Sequence, residues 1–265
     1  MDIKPEWTTP NTTTPNATTP NTTTTPRTFL LPRASAPLPA ALWLPPGNAV
    51  RPPRPPLVLL GHGGSGHKTS ARIQDLARWF TTHAGCAALA IDGPHHGERV
   101  PAPLPPAVYQ ARIAEEGIEA VLDRMTDDWL AAIDAVSDAG RADGGRVAYL
   151  GLSMGARFGI PLAAALGDRL RCAVLGKFGV RLGPALHPGL DAPERVTADA
   201  RRITAPVLFH IQWDDELFPR AGQLALFDAL GSQDKELIAY TGPHDETRPT
   251  AIATWRDFIS RHLGT

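Results

Sequence analysis

The sequence predicts an α/β domain: a mainly parallel sheet of about eight strands with helices on both faces and at most a small cap. Three observations predict it. From Arg27 onward, short apolar runs alternate with amphipathic helical patterns, and strand-then-helix order builds parallel sheets. Runs such as Leu57-Val-Leu-Leu60 are apolar throughout, as in strands covered on both faces. The body, residues 27–265, is long enough for one sizeable core, and a chain 43% hydrophobic and 20% charged is globular.

In residues 1–26 Thr, Pro and Asn predominate, with a rough five-residue repeat over 8–26. Nothing there buries apolar surface and proline removes backbone donors, so a mobile tail is expected, with no chemistry assigned to it. Asn11, Asn16 and Asn21 each head an N-x-Thr triplet, which matters only in a secreted chain. Residues 28–33 and 39–44 read as edge strands with proline at their ends, and 57–60 as a buried strand. A helix over 69–83 follows, with Thr69 or Ser70 at its N-cap and Ile73, Leu76, Ala77 and Phe80 on one face. Ala87–Ile91 is the next strand. Ile118, Val121, Leu122, Met125, Trp129, Ile133 and Val136 then mark a long helix. Strands are expected at 146–150, 171–176, 206–211 and 236–240, and helices at 154–166, near 220–230 and at 249–263. Pro161 predicts a kink or early end of the first of these helices, whereas Pro249 suits a first turn. Segments 98–114 and 178–200 are rich in Pro, Gly and Arg, fit no core element, and are candidates for the cap.

The formal net charge of −1 excludes a basic nucleic-acid footprint. No apolar stretch approaches the ~20 residues of a membrane span. Cys86 and Cys172 lie in apolar runs and read as buried free thiols. With no charged-then-apolar leader pattern, a reduced, cytoplasmic protein is expected.

In open parallel sheets ligands bind beyond the carboxyl ends of the strands, so the reactive residues that directly follow strands carry the functional reading. Gly151-Leu-Ser-Met-Gly155 lies between a strand and a helix. There G-x-S-x-G makes a turn too sharp for a flanking Cβ and lifts the Ser153 hydroxyl above the sheet, at a helix N-terminus. Gly61-His-Gly-Gly-Ser-Gly-His-Lys68 is not a phosphate loop, because His67 stands between Gly66 and Lys68. It reads instead as an oxyanion loop, with the backbone N–H groups of Gly64 (or Gly63) and Met154 as donors and His62 as a brace. Asp214 and Asp215 leave the end of strand 206–211, and either could orient an imidazole. His244 sits in the last strand-to-helix loop, where the base of such a site belongs. Asp92, His95 and His96 could chelate, but no further ligand group with metallohydrolase spacing follows, so no metal is expected.

In chain order these residues are Ser153, Asp214 or Asp215, and His244, the Ser…Asp…His order of α/β hydrolases. At His62–Gly66, Asp92–Gly97, Gly151–Gly155, Trp213–Pro219 and Gly242–His244 the chain resembles the α/β-hydrolase superfamily over residues ~27–263, and more closely its dienelactone-hydrolase-like, small-esterase branch. The resemblance implies Asp215 as the acid, since it takes the D position of G-x-x-D-x-x-x-P aligned on Pro219, with Gln212 at the G position. It implies structural roles for Asp92 and Arg99, and His95 or His96 beside the pocket. Cysteine is the nucleophile of dienelactone hydrolases and serine stands here, so the fold and ester chemistry carry over and the dienelactone substrate does not. Trp213, Phe218, Phe178 and Met154 adjoin the motif loops and, with His62, are expected at the pocket. The expected activity is hydrolysis of a small-molecule carboxylic ester through an acyl-enzyme on Ser153, His244 and Asp215, without a cofactor. An acyltransferase or thioesterase could use the same three residues. A non-catalytic binding protein would typically have lost one of them.

Overall fold

The computed structural model describes residues 6–7, 25–34, 36–47 and 54–265. In chain order the elements are β1 (Glu6–Trp7), β2 (Arg27–Leu31), β3 (Leu38–Trp43), β4 (Pro56–Gly61), α1 (Ala71–His83), β5 (Ala87–Ile91), α2 (Pro106–Glu116), α3 (Ile118–Asp138), β6 (Asp143–Leu152) and α4 (Met154–Leu166). They continue with β7 (Leu170–Gly176), α5 (Pro193–Arg202), β8 (Val207–Gln212), α6 (Arg220–Ala229), β9 (Lys235–Tyr240) and α7 (Pro249–Leu263). The strands form one sheet in the order β1-β2-β3-β5-β4-β6-β7-β8-β9. β1, β2 and β3 run antiparallel along one edge, and β3 pairs antiparallel with β5. From β5 to β9 every pairing is parallel. Eight strands match the sequence expectation within a few residues. The ninth, β1, falls inside the stretch read as a mobile tail. The rest of that stretch, up to residue 24, lies outside the described residues.

Strand periodicity divides the core in two. Leu57 and Leu59 of β4 face the side covered by α3, α4 and α6, where Val121, Trp129, Phe158 and Leu226 are buried. Val58 and Leu60 face the side covered by α1 and α7, where Phe80 and Trp255 are buried. Both faces are dry, so the central strands carry no polar alternation. The stripe predicted for α3 is buried along its whole length. Cys86 and Cys172 are buried free thiols, and burial pushes the Cys86 thiol up to about 11.

Two helices occupy segments where the sequence showed no core element. α2 begins at Pro106 and buries only Tyr109, Gln110 and Ile113. α5 begins at Pro193 and buries Val196, Asp199 and Ala200. Each has proline in the first turn, where its missing N–H costs nothing, and each buries too thin a stripe to stand out as periodicity. α4 does not stop at Pro161. It runs to Leu166, and all its residues but one are buried. Tertiary packing thus offsets the roughly 3 kcal/mol cost of an internal proline. Among the described residues no helix is long and apolar enough to cross a membrane.

Candidate active site

The carboxyl ends of β4, β6, β7, β8 and β9 meet at one rim. A single residue, Ser153, separates β6 from α4, at φ 58° and ψ −121°. Side chains rarely adopt this backbone conformation, and strain of this kind persists only where the surroundings enforce it. The flanking glycines are part of that enforcement. A Cβ on Gly155 would lie 2.6 Å from the Gly61 carbonyl oxygen, and one on Gly151 would lie 2.7 Å from the Gly155 carbonyl oxygen. The buried Tyr149 hydroxyl donates to the Gly155 carbonyl at 2.6 Å, and the Ser153 N–H donates to Gly176 O at 2.9 Å. Strand β7 and a tyrosine therefore hold the turn from two sides.

His244, from the loop between β9 and α7, brings Nε2 to 2.8 Å from Ser153 Oγ. Its Nδ1 lies 2.8 Å from Asp215 Oδ2. The Asp215 side chain is fully buried, and its other oxygen accepts the Leu217 and Phe218 N–H groups at 2.9 and 2.8 Å. A carboxylate so held accepts a proton donor at Nδ1, which leaves the Nε2 lone pair facing the serine hydroxyl. Asp214 turns the other way and caps the Gly242 N–H at 2.8 Å. The two acids that alternation could not separate thus have distinct partners.

The loop after β4 is pinned by histidines. His62 donates from Nδ1 to Gly63 O at 2.8 Å, and its Nε2 accepts the Gly93 N–H at 2.8 Å. Burial pushes its imidazole down to about 4, so the ring is neutral with its proton on Nδ1. Gly63 O also accepts the Gly66 N–H at 2.9 Å. Because the 63–64 peptide is held by its carbonyl, the Gly64 N–H on the opposite side of the same trans peptide is left free. Met154 opens α4, so its N–H has no intrahelical acceptor. Among the described residues, no backbone carbonyl accepts from either group. Gly64, Ser153, Met154 and His244 all line a cavity of about 430 Å³.

Five side chains expected at the pocket are not on the wall of this cavity. His62 and His96 brace the loop from behind, with His96 Nε2 2.9 Å from Gly64 O. His95, at φ 59°, turns outward to Glu116 at 2.6 Å. Trp213 is 42% exposed and stacks under Arg220 at 4.1 Å. Phe178 packs behind Phe218, with ring centroids 4.9 Å apart. Asp92 is fully buried and accepts Lys68 Nζ, the Lys68 N–H and the Glu98 N–H, while Arg99 bonds Asp92 O and Asp128. This network ties the loops together. The wall comes instead from cap residues Tyr109 and Ile113 of α2, from Leu186 and Leu190, and from Arg157 and Lys177. Arg157 follows Ser153 by one helical turn, a spacing visible in the sequence. Lys177 is the first residue beyond β7, where the strand-end rule also points.

The family model for the dienelactone hydrolase family matches residues 49–242. A cold-adapted esterase from an Arctic intertidal metagenomic library, in a PEG-bound complex, is similar at 31% identity and TM-score 0.75, over 90% of this chain and 94% of that one. An acetyl xylan esterase from Paenibacillus sp. R4 shares the fold at 20% identity and TM-score 0.67, over 98% of this chain and 88% of that one. Est1E from Butyrivibrio proteoclasticus does so at 17% identity and TM-score 0.65, over 90% of this chain and 99% of that one. No curated protein matches the chain at a significant level. The sheet order and these neighbours are those of the α/β-hydrolase fold.

Proposed function

This chain belongs to the dienelactone hydrolase family, and we propose that within it the protein is a serine carboxylic ester hydrolase working through an acyl-enzyme. The observation that carries the reading is the unbroken 2.8 Å relay from Asp215 Oδ2 through the His244 ring to Ser153 Oγ. It supports a mechanism in which His244 Nε2 takes the hydroxyl proton as Ser153 Oγ attacks the ester carbonyl. Asp215 fixes the ring tautomer and stabilises the imidazolium. The Gly64 and Met154 N–H groups stabilise the tetrahedral oxyanion. His244 returns the proton to the leaving alkoxide, and water, deprotonated by the same ring, releases the acid. None of these steps calls on a cofactor.

The cavity sets the substrate scale. About 430 Å³ lies toward the lower end of the usual range for small-molecule pockets. Ile113, Phe158, Leu186 and Leu190 give it a largely apolar lining, which suits a small to medium ester with an apolar arm under the cap. A fluorophosphonate probe followed by peptide mass spectrometry tests the assignment. The adduct is expected on Ser153, and S153A should lose both the adduct and, by roughly four or more orders of magnitude, turnover of nitrophenyl esters. An adduct elsewhere on folded protein, or none at all, would reject the nucleophile.

A further inference from the structure

A buried lysine stands beside the proposed ester-hydrolase site, and its role here rests on that reading. Lys177 directly follows β7 and is 2% exposed. Its backbone is in the left-handed region, with φ 44°, a conformation a non-glycine residue holds only when its surroundings fix it. Two features do so. Its N–H donates to His210 O at 2.8 Å. The preceding Gly176 approaches β8 so closely that a Cβ there would lie 2.1 Å from the same oxygen. The side chain then enters the cavity wall and spends all three ammonium protons on one loop. Nζ donates to His244 O at 3.0 Å, to Thr247 Oγ1 at 3.0 Å, and to Glu246 O. None of the three acceptors is a carboxylate.

A lysine that only fastened a loop could be replaced by a neutral donor at lower desolvation cost. The position of this one suggests why a charge is kept. Gly176 O receives the Ser153 N–H, so residues 176 and 177 join the serine turn on one side to the histidine loop on the other. We propose that Lys177 is a positioning residue of the reaction: its ammonium holds the His244 backbone so that the ring stays between Asp215 and Ser153. The charged and titratable groups around Nζ are Arg72 from α1, His210 from β8, Asp215 from the turn after β8, and His244, Asp245 and Glu246 from the loop it binds. Burial outweighs the acids among them and pushes the ammonium down to about 8, so it is still charged in the neutral range.

The test compares K177M and K177R with the wild type. Two quantities are read: kcat and KM for nitrophenyl butyrate, and the downfield NMR resonance of the His244 Nδ1 proton shared with Asp215. K177M should lose about 10- to 100-fold in kcat, with KM within about twofold, because the ring is misplaced while the cavity persists. Its Nδ1 proton resonance should broaden or vanish, because the ring no longer keeps its bond to Asp215. K177R, which keeps a cationic donor, should retain the resonance and recover most of kcat. Should K177M not fold, T247V removes one acceptor from the half-buried loop and should lower kcat about threefold or more at constant KM. Folded K177M with wild-type kcat and an unchanged Nδ1 resonance overturns the proposal, as does T247V with wild-type kcat if K177M is unfolded. The NMR resonance needs no turnover. A wild-type protein that fails to label at Ser153 therefore counts against the esterase reading and leaves Lys177 to be judged on that resonance.

Discussion

Acidification should unfold this protein through two histidines. His62 is 5% exposed and His210 fully buried, and burial pushes both imidazoles down to about 4. In the unfolded chain each titrates near 6.5. Above pH 6.5 neither state binds the proton and folding is undisturbed. Between 6.5 and 4 the unfolded chain binds up to two protons that the native protein refuses, so stability falls as pH drops. The linkage slope is about 2 kcal/mol per pH unit near pH 5.5, and the full loss approaches ~3 kcal/mol per histidine. Two such terms, ~6 kcal/mol together, match the lower end of the ~5–15 kcal/mol stability of a typical domain. The structure supplies the reason. A protonated His62 Nε2 would turn a second donor toward the Gly93 N–H, and among the described residues none accepts a proton from His210 Nδ1. Urea melts followed by far-UV circular dichroism at pH 7, 6 and 5 measure the slope. That window excludes Glu116 and Glu216, whose carboxyls are held below their ordinary value of 4.5. His210→Gln, neutral at every pH, should remove about half the slope. Equal stability at pH 7 and 5, or an unchanged slope in that variant, would refute the argument.

The remaining predictions concern the acid pair and the serine turn. D215N should reduce kcat by roughly three to four orders of magnitude, because an amide no longer fixes the imidazole tautomer. D214N should stay within about tenfold of wild type, since its carboxylate caps one loop N–H; comparable losses in a nitrophenyl ester assay would mean the acid is misassigned. Y149F leaves the Gly155 carbonyl buried without its donor. It should cost about 1–3 kcal/mol in urea melts at pH 7, and no change would show that the hydroxyl does not brace the turn.

The frame was legible because its signals are local and redundant. Four-to-six-residue apolar runs bounded by turn residues marked eight strands, and the α3 stripe marked the longest helix. The serine turn was legible because its glycines are required by backbone contacts that a sequence pattern records. Asp214 and Asp215 could not be separated by alternation, since both stand beyond the end of β8 and the turn alone decides which one faces His244. The cap was illegible for an energetic reason: α2 and α5 bury three side chains each, and their order comes from docking on α3 and α4. The pocket wall was legible only in part. Adjacency to a motif suggested Trp213, Phe218, Phe178 and Met154; Phe218 and Met154 line the cavity, Trp213 and Phe178 do not, and much of the remaining wall comes from cap residues distant in sequence.

The conformation of Ser153 has a consequence for how such a chain ages under mutation. Its dihedrals are those at which glycine is at ease and any side chain is not. The fold would therefore gain from losing the very hydroxyl that the proposed chemistry needs. Selection for robustness and selection for turnover pull in opposite directions at this one position. A lineage freed from the second should drift toward glycine there while the sheet around it stays intact.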